Sequence, residues 1–266
     1  MSRYTNVFSR LRASGETGFI PFAVAGDPDL ATSEKIFKSY IDGGADILEI
    51  GYPFSDPIAD GPVNQRASQR AIAAGMDHAS FFSLIKRLRK ATDIPFGLLC
   101  YANTVLHYGY DRFCLHAASA GLDSILIADL PPEESAGLAT AIHRYGLGRV
   151  FIVSELTPLS RMRFICSQVD SFVYVVSRLG ATGAGTSISA TMGDTIKRLK
   201  KVTTKPLAVG FGISTPDHVR AVRKAGADAA IMGSALVAII EKHRGNPKKL
   251  LSLLARNVAA CKAATR

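Results

Sequence analysis

An α/β fold, and within it a single (β/α)8 TIM barrel over residues 1–266 with an extra helix at each end, is what the sequence predicts, on three observations. Eight Val/Ile/Leu-rich runs recur along the chain, each followed by a turn and a helical pattern, as in parallel strands joined by right-handed crossovers. The runs are mostly continuous rather than alternating, as expected of strands covered on both faces. The 266 residues also match the ~250 of a typical barrel of this kind, and no Pro/Ser-rich linker marks a second domain.

Taken in order, the expected strands are Phe19–Ala25, Ile47–Gly51, Pro95–Tyr101, Ser124–Asp129, Arg149–Ser154, Phe172–Ser177, Pro206–Gly210 and Ala229–Gly233. Between them helices are expected at Thr32–Asp42, Ala79–Ala91, Arg112–Ala120, Glu133–Tyr145, Arg161–Ser167, Thr191–Lys201 and Pro216–Ala225. Three returns look alike: Gly43-Gly44-Ala45-Asp46, Ala120-Gly121-Leu122-Asp123 and Ala225-Gly226-Ala227-Asp228. In each, a glycine ends a helix just before the next strand. Val7–Ala13 is expected to close the bottom of the barrel, and Pro247–Ala263 to pack beside the first barrel helix.

Composition limits the function. Hydrophobic residues make up 47% of the chain, enough for a large core, and the four cysteines lack zinc-site or disulfide-framework spacing. They point to a reduced, cytoplasmic compartment. The first residues contain no signal-like apolar core, and no apolar run approaches the ~20 residues of a membrane span. Net charge is +10, yet residues 1–60 hold five basic against nine acidic residues, so the excess lies further along. Its densest clusters, Lys86-Arg87-Leu88-Arg89-Lys90 and Lys197-Arg198-Leu199-Lys200-Lys201, read as solvated outer faces of amphipathic helices. No nucleic-acid motif accompanies them. A basic balance also suits a phosphorylated substrate.

In such a barrel, chemistry sits at the C-terminal ends of the strands. The stretch Ile47–Ala67 places Glu49 at the end of strand two and Asp56 and Asp60 in a Pro/Gly-rich loop beyond it. Any one of these acids alone reads as a salt-bridged strand end or a turn former. Together, a strand-end Glu and a loop Asp on rigid backbone look like an acid/base pair, since a carboxylate in an apolar strand is costly unless used. Tyr101, Asp129 and Glu155 lie on the same face, as does Tyr174 in strand six, followed by Arg178, Gly180, Gly183 and Gly185. After strands seven and eight, Phe211-Gly212-Ile213-Ser214 and Gly233-Ser234-Ala235 suit a phosphate held by backbone N–H groups at a helix start. No Lys ends a strand, which counts against a Schiff-base aldolase. The six His residues are scattered, which counts against a metal-dependent one. Without flavin or nicotinamide motifs, cofactor-free acid/base chemistry on a phosphorylated small molecule remains.

The motif L-E-I-G-Y-P-F-S-D-P-I-A-D-G-P-V-N-Q-R-A resembles the most diagnostic signature of the tryptophan synthase alpha chain family. The resemblance runs over nearly the full chain, with weaker matches at Ala25-Gly26-Asp27-Pro28, Tyr101-Ala102-Asn103, Ala128-Asp129-Leu130-Pro131, Ser177-Arg178, Thr182-Gly183, Gly210-Phe211-Gly212-Ile213 and Gly233-Ser234. It implies cleavage of indole-3-glycerol phosphate to indole and glyceraldehyde 3-phosphate, with Glu49 as main acid/base, Asp60 at the indole nitrogen and Tyr174 near Glu49. It further implies an indole slot of Phe22, Cys100, Ala128, Ile152 and Phe211, with Thr182 meeting the Asp60 loop from a lid at Gly180–Ser189. Gly183, Gly212, Gly233 and Ser234 would hold phosphate. Pro53, Asp56, Asn103 and Pro131 would face a beta subunit in an α2β2 complex, and pyridoxal phosphate would belong to that subunit alone. The chain departs from the pattern at Val24 (commonly Thr), at Tyr52 (a small aliphatic residue), and at Ser154-Glu155-Leu156 (small residue, Pro, Thr). These departures keep two alternatives in view: a free-standing lyase that releases indole, and a weak catalyst that mainly activates the beta subunit.

Overall fold

A computed structural model of the chain describes residues 2–176 and 190–266. Its strand segments are β1 (Gly18–Val24), β2 (Leu48–Gly51), β3 (Phe96–Cys100), β4 (Ser124–Ile127), β5 (Gly148–Arg149), β6 (Phe151–Ser154), β7 (Val173–Val176), β8 (Leu207–Gly210) and β9 (Ala229–Met232). All pair in parallel, in the order β5-β4-β3-β2-β1-β9-β8-β7-β6. The two ends of that order, β5 and β6, are separated in the chain only by Val150, whose N–H still donates to the Ile125 carbonyl at 3.1 Å. They are therefore two halves of one strand, and the sheet closes as the eight-stranded barrel the sequence predicts.

The helices are α1 (Arg3–Ser14), α2 (Leu30–Asp42), α3 (Pro62–Ala73), α4 (His78–Arg89), α5 (Ala102–Tyr108), α6 (Tyr110–Ala120), α7 (Ala136–Arg144), α8 (Leu159–Ser167), α9 (Ala190–Lys200), α10 (Pro216–Lys224), α11 (Ser234–His243) and α12 (Pro247–Ala263). Two of them go beyond the sequence reading. Helix α3 starts inside the stretch read as loop, because Pro62 at the first helical position has a helical φ and lacks only an N–H that would have no helical partner. Helix α5 is a seven-residue segment following Tyr101, too short to show periodicity. Helix α7 begins later than expected, after a 3-10 turn at Pro132–Glu134.

Along each strand the side chains alternate between two apolar environments, which is why the runs read as continuous. One set faces the helical shell. The other points inward, where Ile20, Ile47, Leu126, Val150, Phe172, Ala208, Ala229 and Ile231 pack on Tyr4, Val7, Phe8 and Leu11 of α1. Helix α1 thus closes the bottom, and the Tyr4 hydroxyl lies 2.8 Å from Ser124 Oγ inside the barrel. At the other terminus α12 packs against α2, also as expected.

The three similar returns share one device. Gly44, Gly121 and Gly226 adopt φ of 92°, 103° and 83°, a region open to glycine at little cost. The aspartate two residues on then accepts an N–H from the start of a neighbouring strand: Asp46 from Phe19 (2.9 Å), Asp123 from Phe96 (2.8 Å) and Asp228 from Leu207 (2.9 Å). Asp46 is buried and also takes Arg10 at 2.7 Å and Lys262 at 2.8 Å, tying α1, β1 and α12 together. Asp46→Ala leaves a buried N–H and a half-buried ammonium without that partner. It should lower unfolding free energy by about 2–4 kcal/mol, read as a lower urea midpoint at unchanged m value.

Candidate active site

The pairing Phe22↔Glu49↔Gly97 sets Glu49 level with its neighbours across β1, β2 and β3, pointing into the barrel. The residue is 6% exposed, and among the described residues no group hydrogen-bonds its carboxyl. Burial pushes the Glu49 carboxyl up to about 8, with the negative charge of Asp60 as a second cause. A carboxylic acid poised near neutrality can give a proton and take one back.

Asp60 reaches the same cleft from the loop that leaves β2 and enters α3. Its Oδ2 accepts from the Tyr101 hydroxyl at 2.9 Å, and its Oδ1 from Asn64 Nδ2 at 3.4 Å. Tyr101 also accepts the Ala59 N–H at 3.2 Å and stacks on Phe54, with ring centroids 5.0 Å apart. Burial raises the Asp60 carboxyl above its ordinary value, and the two donors oppose that shift. The pair is therefore unequal. Burial raises both carboxyls, but among the described residues only Asp60 has hydrogen-bond donors that oppose the shift.

Tyr174 enters from β7, level with Ile152 and Ala208. Burial, then the charges of Glu49 and Asp60, keep its phenol protonated. Any Cβ at Gly210 would collide with the Tyr174 hydroxyl, so the glycine that ends β8 makes room for the tyrosine. Past it, Phe211 has φ 92° and is 58% exposed, an unusual backbone state for an aromatic residue. It turns the ring onto the cleft and carries Gly212 to the rim.

These residues enclose a cavity of about 180 Å³. Glu49, Tyr174, Asp60 and Asn64 line it together with the apolar Phe22, Leu99, Ala128, Ile152 and Phe211. Gly212, Gly233 and Ser234 also line the cavity, and α11 begins at Ser234. Backbone amides at a helix start favour an anion there.

Most predicted residues meet in this one cleft. Cys100 does not. It is fully buried among the shell residues of β3, because the side-chain period of two turns Gly97, Leu99 and Tyr101 inward and Cys100 outward. Leu99 takes its place. Thr182, Gly183 and the Gly180–Ser189 segment lie outside the described residues, as does Arg178. Asp56, Asn103 and Pro131 are exposed beyond the strand ends. Ile58, 82% exposed, stands close to Asp56 in sequence, whereas Pro53 itself is buried. Tyr52 turns into the helical shell, its ring 4.9 Å from His78 and 5.1 Å from Phe81. Glu155 lies outside the cleft wall, its backbone carbonyl taking Arg198 at 3.0 Å. Val24 is buried in the shell cluster. Tyr101 and Asn64 as partners of Asp60 were not anticipated. Tyr101 lies 41 positions away in sequence, and only the closed barrel brings it near.

A closed parallel barrel whose strand ends carry an unequal carboxylate pair over an apolar slot, with a glycine rim for an anion, defines a class: barrel enzymes that work by acid/base chemistry on a phosphorylated small molecule. Known proteins narrow the class. Residues 8–266 match the family model described as tryptophan synthase alpha chain. A relative of that name from Methanoregula boonei is 44% identical over 99% of this chain and 98% of its own length. The one from Escherichia coli is 43% identical over the whole of both. Tryptophan synthase subunit alpha from Legionella pneumophila superposes with TM-score 0.91 at 32% identity, covering 100% of this chain and 98% of the other. A Mycobacterium tuberculosis tryptophan synthase structure gives 0.89 at 29% identity, with 100% and 98% covered. The chain belongs to the tryptophan synthase alpha chain family, lyases that cleave indole-3-glycerol phosphate to indole and glyceraldehyde 3-phosphate in tryptophan biosynthesis.

The raised Glu49 carboxyl has a stability consequence. The folded state holds that proton more tightly than the unfolded chain, so stability falls as pH rises from the ordinary carboxyl value, 4.5, toward about 8. Glu49→Gln removes that loss. Its stability relative to the parent should rise by on the order of 3 kcal/mol between pH 4 and pH 8.5, measured by urea unfolding at both. A difference independent of pH would contradict the burial argument.

Proposed function

We propose that Glu49 and Asp60 carry the lyase reaction in this chain, with Glu49 as acid and then base and Asp60 as the fixed anion. The observation that supports this most is their inequality within one apolar cleft: a buried, raised Glu49 carboxyl beside an Asp60 held by two donors.

In the proposed sequence the protonated Glu49 gives its proton to C3 of the indole ring, making the ring cationic at nitrogen. Asp60 stabilises that charge. The resulting Glu49 carboxylate then takes the proton of the side-chain hydroxyl next to the ring. The carbonyl of glyceraldehyde 3-phosphate forms, the carbon–carbon bond breaks, and its electron pair restores neutral indole. Glu49 ends protonated, as it began. Phe22, Leu99, Ala128, Ile152 and Phe211 would hold the ring, and Tyr174 would bound the slot beside Glu49. Gly212, Gly233 and Ser234 would bind phosphate, together with Gly183, and Thr182 would meet the Asp60 loop.

The chemistry needs no cofactor in this reading, and pyridoxal phosphate belongs to a beta subunit in an α2β2 assembly. Asp56, Asn103 and Pro131, exposed near the same barrel end, are the proposed contact surface, with Pro53 supporting it from beneath. The cytoplasmic reading is supported by four cysteines that are all free and buried, and no helix of the described residues is long and apolar enough to cross a membrane. Residues 1–266 are read as one domain.

Purified protein should release indole from indole-3-glycerol phosphate, and faster with a beta subunit present. High activity without the partner would favour the free-standing lyase, and none in either condition would sink the enzymatic reading. Glu49→Gln should lower kcat by about 10²–10⁴-fold while leaving substrate binding largely in place, and Asp60→Asn should lower kcat severely as well.

A further inference from the structure

Asn64 is an uneconomical choice for the wall of an apolar slot. It lies in the first turn of α3, lines the cleft, and gives its Nδ2 to Asp60 Oδ1 at 3.4 Å. Its own Oδ1 is buried and, among the described residues, has no hydrogen-bond partner. An amide can be turned end for end, so this orientation needs a reason. With the amide reversed, its oxygen would face the carboxylate, acceptor against acceptor. The orientation that leaves Oδ1 unpaired is the one that serves an ionised Asp60.

The remaining contacts of Asp60 agree with that reading. Tyr101 occupies Oδ2, so Asn64 is the donor on the other oxygen, and the two together fix the plane of the carboxylate. The next residue, Gln65, fixes the backbone, with its Nε2 donating to the Asp60 carbonyl at 3.0 Å. Among the described residues the titratable groups acting on or through Asp60 are Glu49 on β2, Tyr101 after β3 and Tyr174 on β7. None is a cation. Hydrogen-bond donors are therefore what opposes the protonation that burial of this carboxylate favours.

We propose that Asn64 is a positioning residue for the lyase reaction, holding Asp60 ionised and in plane against the substrate ring from the oxygen that Tyr101 does not reach. The inference deepens the proposed function and rests on it. Asn64 acts through Asp60, so its loss should appear in kcat and in the acid side of the pH profile, not chiefly in KM.

The test uses the full-length chain and indole-3-glycerol phosphate, with indole release followed from acid to alkaline pH. Asn64→Leu keeps the bulk and removes the donor, and Asn64→Ala serves if the leucine variant does not fold. Without this donor Asp60 takes its proton at higher pH, and activity lost through that protonation is lost earlier as pH falls. The expected result is a kcat reduced by about tenfold, KM within about twofold, and an acid limb moved upward by about half a pH unit or more. Asn64→Asp, which sets a second carboxylate against Asp60, should cost more than either. Unchanged kcat with an unmoved acid limb in the folded variant overturns the proposal, as does a rise in KM alone. If the parent chain itself releases no indole, the proposed function fails and this inference falls with it. If the parent is active and the variants match it, only this inference is lost.

Discussion

Burial of the Glu49 carboxyl beside Asp60 is the constraint on which the rest of the site depends. A carboxylate taken out of water without a cation is unfavourable, and the usual response is to keep the proton. In the proposed reaction that response is useful, because it leaves an acid where a ring carbon must be protonated. The barrel supplies the burial: Glu49 pairs level with Phe22 and Gly97, above a floor closed by Tyr4 and its neighbours on α1. Asp60 is kept different by other means, through Tyr101 and Asn64 on its two oxygens.

The two ends of the barrel divide the work. At the bottom, Asp46, Asp123 and Asp228 accept strand N–H groups, and Arg and Lys side chains pair with all three. At the top, the described carboxylates of the cleft have no such partners. A network of Arg70, Asp27, Glu241 and Arg66 also ties α3, which begins just after Asp60, to α11, which begins at the glycine rim. The segment that carries Asp60 and the glycine turn at Gly233 are thus joined through the shell as well as through the sheet.

Much of this was legible in the sequence. Continuous apolar runs separated by helical patterns located every strand to within a few residues, because both faces of each strand are covered. Glu49 was legible because an acid interrupts such a run, and the glycine rim because two glycine turns follow consecutive strands. Cys100 shows the limit. Where both faces are apolar, polarity does not say which side chains point inward, and only the inward path through Gly97, Leu99 and Tyr101 decides it. Helix α3 was hidden by a proline that starts a helix as readily as it holds a loop. The bond from Tyr101 to Asp60 spans 41 residues and has no local signal. Tyr52, conspicuous against the family pattern, lies in a shell of aromatic rings with His78, Phe81 and Tyr108 rather than in the slot.

The central claim is that burial beside Asp60 makes Glu49 an acid near neutral pH in the unliganded chain. Carbon-13 NMR of glutamate side-chain carboxyls, with Glu49→Gln used to assign the resonance, reads it directly. The account predicts a Glu49 midpoint near 8, well above the solvent-exposed glutamates. A midpoint in the ordinary range, close to 4.5, would contradict it.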